Sequence, residues 1–533
     1  TKVNTVCEFG SCENHHVMNV DDVKCAVRKL KAGKSDANVN LCSDNFICAC
    51  NDLFVHLSLL LNMFYFRFSA PAEMLTSILV PIPKNRKKAL SNSGNFRSIA
   101  ISSIVGKILD HIVLKNHSSV LQTSDLQFGF KSEHSTTQCS FILREVVEYY
   151  AYRRTPVFVT LLDATRAFDR VHYVKLFKLL MRRGMCPSLI KLLIMMYIGQ
   201  SLAVRWSNAV SSSFNCTNGI KQGGVLSPVL FCIYIDELIN RLIALNVGCF
   251  VGHKFVGVMT YADDVTLMAP TYEATVKMLD VCQKHAAEYD ILFNSSKSNV
   301  ILFNVRGRRF MSKPVIKMNN DVIEYKDRAI HLGSHIGSGS DQENIKKAIT
   351  DLTVKTNFLV NTYRFCDIDV SCYLFNTHCS SFYGAPIWNL NITESLCIAW
   401  RRCIRRLLKL HPRTHSRYIP FIIGRLDLRT QFYVRCLKFW NSAILSKNEV
   451  LSLCARVAMH QTSSSNVALT LRSIMQMLNV DVDSLLGVNT VIHYLYDRFE
   501  NSLSDEGHAN CSALIELLKV RSNSSECPLS LTE

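Results

Sequence analysis

The sequence predicts an α+β protein in which a region of mixed strands and helices is followed by a mostly helical region. Two patterns indicate this fold class. Between residues 75 and 303, short apolar runs rich in β-branched residues alternate with stretches whose apolar residues recur at helical spacing. Beyond about residue 340, the helical spacing continues while strand-like runs become rare. Strands interleaved with helices are typical of α/β and α+β sheets.

The elements can be predicted in chain order. Helices are expected at residues 21–32, 54–66, 103–114 and 174–183, and the second of these is apolar enough to be buried. Strands are expected at residues 74–83 and 156–162, as a hairpin within 255–269, and after a turn within 292–303. The turn of the hairpin contains Ala262, Asp263 and Asp264.

The composition excludes some classes of protein and favours one kind of partner. The 533 residues include 60 Lys and Arg against 43 Asp and Glu, a formal net charge of +17, and 48% of them are hydrophobic. A disordered or collagen-like chain is therefore excluded. No apolar stretch reaches the roughly 18–20 residues that span a bilayer. The basic excess suits a polyanion such as nucleic acid, although a basic surface can also serve solubility alone.

The distribution of the cysteines indicates the redox state of the protein's compartment. The 21 cysteines are scattered, and several lie inside apolar runs, where a reduced thiol acts as a small hydrophobic group. We therefore expect a reducing compartment rather than a secreted disulfide framework. Cys7, Cys12 and His15 or His16 have part of a metal-ligand spacing, but no fourth ligand is evident, and we expect no zinc there.

Two acidic positions are candidates for a metal site. Asp163 follows an apolar strand, and Asp263 and Asp264 lie at the tip of an apolar hairpin. Carboxylates at the ends of buried strands repel one another unless a cation lies between them, and Mg²⁺ prefers such oxygen ligands. Two Mg²⁺ ions about 3.5–4 Å apart form the arrangement used in nucleotidyl transfer. The alternative is that two adjacent aspartates simply tolerate the geometry of a turn.

The order of several motifs resembles that of a reverse transcriptase, in particular the polymerase of non-LTR (LINE-type, jockey-like) retrotransposons. Three stretches carry most of the resemblance: residues 162–169 (LDATRAFD), 219–231 (GIKQGGVLSPVLF) and 261–264 (YADD). Shorter matches occur in family order at residues 31–35, 80–84, 96–99, 127–130, 134–136, 293–297 and 331–333. The resemblance implies a right-hand polymerase followed by a mostly helical C-terminal domain. Its expected parts are an N-terminal extension and the start of the fingers (1–70), fingers and palm (71–310), a thumb-like region (311–410) and a helical domain (411–533).

The resemblance also assigns roles to residues. Asp163 and Asp263 match the ligands of two Mg²⁺ ions, for which Mn²⁺ can substitute, and Asp264 would support them. Lys297 matches a lysine that protonates the leaving pyrophosphate. The residues that would contact the incoming nucleotide or the primer end are Lys84, Arg97, Phe168, Gln222, Gly223 and Tyr261. Among these, Phe168 would exclude a ribose 2′-hydroxyl. The alternatives are an ordinary core Phe168 and a solvated turn Lys84.

A basic segment follows the polymerase motifs. No acidic residue occurs between Ser395 and Leu426. On a helix, its basic residues recur at spacings of four and seven, while apolar residues between them would face a core. This pattern fits either a solvated face or phosphate contacts, and we expect it to bind nucleic acid. The residues concerned are Arg401, Arg402, Arg405, Arg406 and Lys409.

The sequence therefore predicts an RNA-directed DNA polymerase that extends a primer 3′-hydroxyl with deoxynucleotides and serves target-primed retrotransposition. Two alternatives stay open: a catalytically silent nucleic-acid-binding relic of such an element, and a group II intron-type reverse transcriptase. An RNA-directed RNA polymerase is disfavoured by Phe168.

The resemblance also implies partners and a location. The expected partners are an RNA template, primer or target DNA, and deoxynucleoside triphosphates, with no membrane. Because no nuclease motif is recognised and the first residue is Thr1, we expect a fragment that lacks the endonuclease, which would lie upstream or act in trans together with an element RNA-binding protein. We expect nuclear and cytoplasmic localisation.

Overall fold

The computed structural model describes residues 17–37, 41–86, 89–304, 313–363, 365–460, 463–503, 507–509, 511–512 and 514–516. The partial metal-ligand spacing of Cys7, Cys12, His15 and His16 lies outside these residues. Every cysteine that the structure describes is a free thiol. Within the described ranges, no helix combines the length and the apolar character needed to cross a membrane.

The helices agree with the predicted order. They are α1 (Val20–Val27), α2 (Ser43–Ile47), α3 (Asn51–Arg67), α4 (Ala72–Leu75), α5 (Ile104–Asn116), α6 (Thr136–Tyr152), α7 (Tyr173–Arg182), α8 (Pro187–Ile198), α9 (Ser227–Ala244), α10 (Tyr272–Tyr289), α11 (Ser340–Thr362), α12 (Ile368–Leu374), α13 (Glu394–Leu407), α14 (Tyr418–Ile422), α15 (Leu428–Ile444), α16 (Glu449–Ala458), α17 (Asn466–Leu478), α18 (Val482–Leu486) and α19 (Val488–Glu500).

The strands are concentrated in the first two thirds of the chain. They are β1 (Thr76–Pro83), β2 (Phe96–Ser102), β3 (Val157–Leu162), β4 (Ser201–Trp206), β5 (Ala209–Val210), β6 (Phe214–Asn215), β7 (Phe250–Val251), β8 (Lys254–Phe255), β9 (Val258–Tyr261), β10 (Asp264–Ala269), β11 (Asn299–Phe303), β12 (Lys317–Met318), β13 (Asp321–Val322), β14 (Glu324–Tyr325), β15 (Arg328–His331) and β16 (Ser334–Gly337). The predicted α+β class is confirmed.

One helix differs from its prediction. The apolar run at 54–66 was expected to be buried, but α3 buries one face only. Leu57 and Leu61 lie in the core, whereas 64% of Leu59 and 51% of Phe66 are exposed. Residues four apart share a helical face, so an apolar run longer than three turns has side chains on every face. Only one of those faces is covered here.

Two sheets provide the frame for the candidate site. The first has the order β2-β1-β4-β5, with β6 paired to β4. The second has the order β14-β11-β3-β10-β9, and its central strand β3 is antiparallel to both β10 and β11. Helix α10 packs against β3 and β10, while α6 and α9 pack against β9. The second sheet is therefore covered by helices, and its central strands are apolar because they are buried.

The apolar side chains form two cores. The larger core runs from Met18 to Ile336 and also takes in side chains between Cys436 and Val491, so the last helices pack back onto the sheet region. The smaller core lies between Ile345 and Phe432. The predicted domain boundary at residue 410 falls inside this smaller core, and the division into domains stays a prediction.

Candidate active site

The structure brings the three candidate carboxylates to one edge of the second sheet. Antiparallel pairing of β10 with β3 sets Val265 opposite Leu162. The next residues along the two strands are Asp264 and Asp163, so both aspartates emerge at the same end. Asp263 lies in the two-residue turn between β9 and β10, whose flanking residues Tyr261 and Asp264 are paired. The sheet register therefore makes a common acidic edge from residues 100 positions apart in the chain.

These carboxylates influence one another. Burial raises the pKa of Asp263, the negative charge of Asp163 raises it further, and the positive charge of Arg97 opposes the rise. Asp264 is exposed at this edge of the sheet, yet partial desolvation, followed by the charges of Asp263 and Asp163, raises its pKa to about 6. Like charges at close range disfavour the ionised forms, and a bound cation would reverse that penalty.

The side chain of Lys297 contacts this acidic edge directly. Its Nζ lies 3.5 Å from Oδ2 of Asp163. A tight turn places it there, because the Lys297 and Ser298 N–H groups both donate to the Asn294 carbonyl oxygen. The same turn holds Asp163 on both sides: Asn294 N–H donates to the Asp163 carbonyl at 2.9 Å, and Asp163 N–H donates to Ser298 Oγ at 3.2 Å.

The donor set fits a divalent cation completed by phosphate oxygens. Among the residues that the structure describes, no three His, Cys, Asp or Glu side chains are arranged to hold a metal ion by themselves. Mg²⁺ does not need such a cage, because it is commonly bound by one or two carboxylates together with waters and substrate phosphates. Asp163 and Asp263 supply two hard oxygen donors whose mutual repulsion favours a cation between them.

The glycine-rich loop before α9 lies against β2. Ala100 N–H donates to the carbonyl oxygen of Gln222 at 2.7 Å, which docks the loop on the strand. Gly223 has a φ of +110°, and a Cβ there would lie 2.9 Å from the carbonyl oxygen of Ala100. Only glycine fits such a contact without displacement. The Gln222 side chain donates from Nε2 to Asp169 Oδ1 at 3.3 Å, so it is oriented toward the segment that carries Phe168.

Phe168 is half-buried beside two other rings. Its ring is stacked on Phe231 of α9, with centroids 4.6 Å apart and an interplanar angle of 13°. The edge of Phe130 approaches it at 6.2 Å. The alternative of an ordinary core phenylalanine accounts for one ring face only, because Phe168 stays partly accessible. Phe231 was not singled out from the sequence, since nothing in its apolar run distinguishes it from core.

The remaining nucleotide-site candidates lie at different depths. Arg97 on β2 is exposed, and its charge reaches Asp263. Tyr261 is half-buried at the end of β9, next to the turn. Lys84 is exposed, and its Nζ donates to the carbonyl oxygen of Gly94 at 3.2 Å. Lys84 therefore lies with the turn that joins β1 to β2, as the alternative of a turn lysine expects.

Comparison with known families identifies the region that contains this site. Residues 82–344 match the family model described as reverse transcriptase (RNA-dependent DNA polymerase). This region is similar to a reverse transcriptase domain. All of the candidate carboxylates, Lys297 and the nucleotide-site residues lie inside the matched region. The predicted enzyme class is confirmed.

Individual relatives show which reverse transcriptases the chain is similar to. The chain is 25% identical over 282 residues to a probable RNA-directed DNA polymerase from transposon X-element of Drosophila melanogaster. This alignment covers 50% of this chain and 29% of the relative. It is 25% identical over 405 residues to the RNA-directed DNA polymerase from mobile element jockey of Drosophila funebris, covering 70% and 42% respectively. The chain thus spans less than half the length of these curated relatives. The predicted similarity to non-LTR retrotransposon reverse transcriptases is confirmed.

One solved structure gives a weaker likeness. Telomerase from Candida albicans, in complex with a fragment of telomeric RNA, aligns with 78% of this chain and 70% of its own at 11% identity. The TM-score is 0.38, which is too low to support a conclusion.

The predicted basic helix lies beyond the matched reverse transcriptase region. It is α13, which carries four of the five predicted basic residues. Lys409 lies after the helix, which ends at Leu407, and its φ of +52° is not helical, so its prediction as a helix residue is wrong. Arg401 donates to Glu394 Oε1 at 3.0 Å, and Arg405 donates to the carbonyl oxygen of Thr414 at 2.8 and 3.0 Å. Arg401 and Arg405 therefore stabilise the helix and the loop after it. The other three, Arg402, Arg406 and Lys409, are exposed.

The reverse transcriptase domain has one contact to its acidic turn that the sequence did not predict. The side-chain Oε1 of Gln127 accepts a hydrogen bond from the N–H of Ala262 at 3.1 Å. Gln127 lies in the motif at residues 127–130, so its position was noted, but a motif does not reveal which way a side chain points. Its contact joins residues 135 positions apart in the chain.

Proposed function

We propose that this reverse transcriptase extends the 3′-hydroxyl of a primer with deoxynucleotides on an RNA template, using two Mg²⁺ ions. The observation that carries the proposal is the convergence of Asp163, Asp263 and Asp264 at one edge of the sheet, inside the matched region. Two adjacent divalent ions stabilise both the attacking and the leaving oxygen of a phosphoryl transfer.

The residues of the chain divide the work. Asp163 and Asp263 would hold the ions, and Asp264 at the same edge would support them. Bound there, the ions would lower the pKa of the primer hydroxyl and offset the charge of the triphosphate. The Nζ of Lys297 lies beside Asp163, a position that suits proton transfer to a leaving pyrophosphate. The Arg97 guanidinium supplies a fixed positive charge that favours the triphosphate over a neutral ligand.

Nucleotide selection would depend on the loop and the aromatic stack. Gly223 lets the backbone of the loop lie close to β2, so a nucleotide would meet main-chain atoms and the amide of Gln222 rather than bulky side chains. Phe168, supported from behind by Phe231, would contact the sugar and reject a 2′-hydroxyl. Exclusion of a ribonucleotide requires a side chain that cannot move aside, and stacking on Phe231 restricts the Phe168 ring in this way.

The biological setting is proposed from the family. We propose that the chain serves target-primed retrotransposition, with target DNA as primer, element RNA as template, and an endonuclease upstream or in trans. Such a reaction requires access to chromosomal DNA in the nucleus and to the element RNA, which is translated in the cytoplasm. We therefore propose that the protein is both nuclear and cytoplasmic.

The test is primer extension on an RNA template with deoxynucleotides and Mg²⁺. The parent should extend the primer, Asp263→Asn should not, and the matched surface variant Asp280→Asn on α10 should behave as the parent. Chelation should abolish extension, and added Mg²⁺ or Mn²⁺ should restore it. If neither the parent nor Asp263→Asn extends the primer while both bind RNA tightly, the silent-relic interpretation replaces this proposal.

A further inference from the structure

The segment that carries Gln127 is anchored to helix α9. Ser124 N–H donates to Oδ1 of Asp236 at 2.7 Å, and Ser124 Oγ accepts from Leu126 N–H at 3.2 Å. Asp236 is buried in α9 and is also paired with Arg183. The start of the segment is therefore held by a buried carboxylate on α9, which is itself paired with Arg183 at the end of α7.

The same segment is bound to the strand that leads into the acidic turn. Gln127 forms a parallel bridge with Thr260 of β9. Phe128 N–H donates to the Thr260 carbonyl at 2.8 Å, and Thr260 N–H donates to the Leu126 carbonyl at 2.9 Å. Backbone hydrogen bonds thus attach the segment to Thr260. This residue directly precedes Tyr261, the last residue of β9 before the turn.

The side chain of Gln127 completes this attachment. It is fully buried, and its Oε1 accepts from the N–H groups of Ala262 at 3.1 Å and Gly129 at 2.8 Å. Both neighbours are donors, so the amide must present its oxygen to them. Its Nε2 has no hydrogen-bond partner among the described residues. A buried unsatisfied donor costs stability, which indicates that the site retains the amide for the oxygen.

The turn itself needs to be held. Ala262 is buried with a φ of +57°, a left-handed conformation that a non-glycine residue rarely adopts. Gly129 lies against it so closely that an added Cβ would be 2.4 Å from Ala262 N. The backbone at Gly129 and the side chain of Gln127 therefore contact the turn together, and they fix the residue that immediately precedes Asp263.

We propose that Gln127 is a positioning residue for divalent-metal binding, because it holds the Ala262 backbone in the conformation that directs Asp263 toward Asp163. This inference rests on the proposed function of the carboxylates. Without the bond to Gln127, the turn could relax from its left-handed conformation, and the carboxylate of Asp263 would no longer be fixed relative to β3. A displacement of about 1 Å at a reacting centre can cost roughly 100-fold in rate.

Two variants perturb this contact in different ways. Gln127→Met keeps the length of the side chain but removes the acceptor, and Gly129→Ala forces a methyl group against Ala262 N. Both should lower turnover by roughly 10- to 100-fold and raise the half-saturating Mg²⁺ concentration several-fold. The KM for deoxynucleotide and the affinity for RNA should change little. Because both act on one contact, the double variant should be far from additive.

Metal binding can be measured without catalysis. Electron paramagnetic resonance of Mn²⁺ should show weaker binding to Gln127→Met than to the parent, with Asp263→Asn as the loss-of-site reference. The matched control is Gln138→Met, another buried glutamine, which caps α6. It should lower the melting temperature and leave Mn²⁺ affinity unchanged.

The outcomes separate this proposal from the proposed function. A lower melting temperature for Gln127→Met with unchanged Mn²⁺ affinity and unchanged Mg²⁺ dependence would overturn the positioning role. Additive effects of Gln127→Met and Gly129→Ala would also overturn it. If the parent binds Mn²⁺ through Asp263, and Gln127→Met weakens that binding, the positioning role stands even where the parent extends no primer.

Discussion

The Nζ of Lys297 lies 3.5 Å from Oδ2 of Asp163, so Lys297 contacts one of the two carboxylates that are proposed to hold metal ions. Both groups are accessible, with 62% of the Lys297 side chain and 41% of the Asp163 side chain exposed. An ion pair this exposed contributes little to stability. The folded structure therefore depends little on this contact, and the proposed roles of both charges can be tested by replacing Lys297.

Replacing Lys297 should therefore have two opposite effects. Lys297→Met removes a competing positive charge from Asp163, so Mg²⁺ should half-saturate at a lower concentration. It also removes a proton donor, so the maximal rate should fall by roughly 10²-fold or more. Steady-state extension over a Mg²⁺ series measures both quantities.

The matched control for Lys297→Met is Lys284→Met, on the exposed face of α10. It should change neither quantity. Parallel decreases in rate and in metal affinity for Lys297→Met would show that Lys297 only maintains the turn.

Phe168 offers a test of nucleotide selection. Phe168→Val shortens the side chain that contacts the sugar, and the ratio of ribonucleotide to deoxynucleotide incorporation should rise by roughly 10- to 100-fold. The measurement is kcat/KM for each nucleotide on the same primer and template. Phe231→Leu, which removes the supporting ring behind it, should give a smaller rise in the same direction. An unchanged ratio in Phe168→Val would assign Phe168 to the core alone.

A buried carboxyl group predicts a pH dependence of stability. Glu145 on α6 lines a cavity of about 260 Å³ between α6, α11 and α17, and burial raises its pKa from 4.5 to about 8. In the folded chain it is protonated until about pH 8, whereas in the unfolded chain it ionises above pH 4.5. The contribution of Glu145 to the free energy of unfolding is therefore fully present below pH 4.5 and is lost as the pH rises toward 8.

Glu145→Gln removes this titration and keeps the size of the side chain. The gain in stability over the parent should be about 1 kcal/mol at pH 5 and roughly 4 kcal/mol at pH 8. Thermal unfolding of both chains across this range checks it. The control Glu148→Gln changes a residue that lines the same cavity but keeps Glu145, so most of the loss of stability toward pH 8 should remain in that variant. A gain for Glu145→Gln that is constant from pH 5 to 8 would contradict a protonated Glu145.

The acidic edge could be predicted from the sequence because local patterns define it. An apolar β-branched run ends at Leu162, and another hairpin run turns at Asp263, so each carboxylate is marked by its own strand. That the two strands pair and bring the carboxylates together was implied by the resemblance to reverse transcriptases, because the order of strands along a chain does not fix which of them pair. The basic helix was predictable for the same reason, since its apolar residues recur at helical spacing.

The remaining contacts could not be predicted because they depend on packing. The Gln127 amide reaches Ala262 across 135 residues, and no local pattern states which backbone group a glutamine will meet. Likewise, the apolar run of α3 does not reveal that only one of its faces is covered. Spacing alone gave five equivalent basic residues on one helix, whereas the structure places four of them on α13 and gives partners to two of those.

That division of α13 leads to a prediction about RNA binding. Arg402 and Arg406 are exposed, while Arg401 and Arg405 are engaged by Glu394 and Thr414. A side chain that neutralises a phosphate releases a counterion, so its removal reduces the salt dependence of binding. For the double variant Arg402→Ala/Arg406→Ala, the slope of log affinity against log salt should become shallower by about 1.4 on single-stranded RNA.

The matched double variant Arg401→Ala/Arg405→Ala removes the same charge from the same helix but acts on intramolecular partners. It should lower the melting temperature and leave the slope close to that of the parent. Fluorescence anisotropy with a labelled RNA at several salt concentrations measures both slopes. Equal changes of slope in the two variants would mean that net charge, rather than the exposed face of α13, determines RNA affinity. No change in either would place the RNA contact elsewhere on the chain.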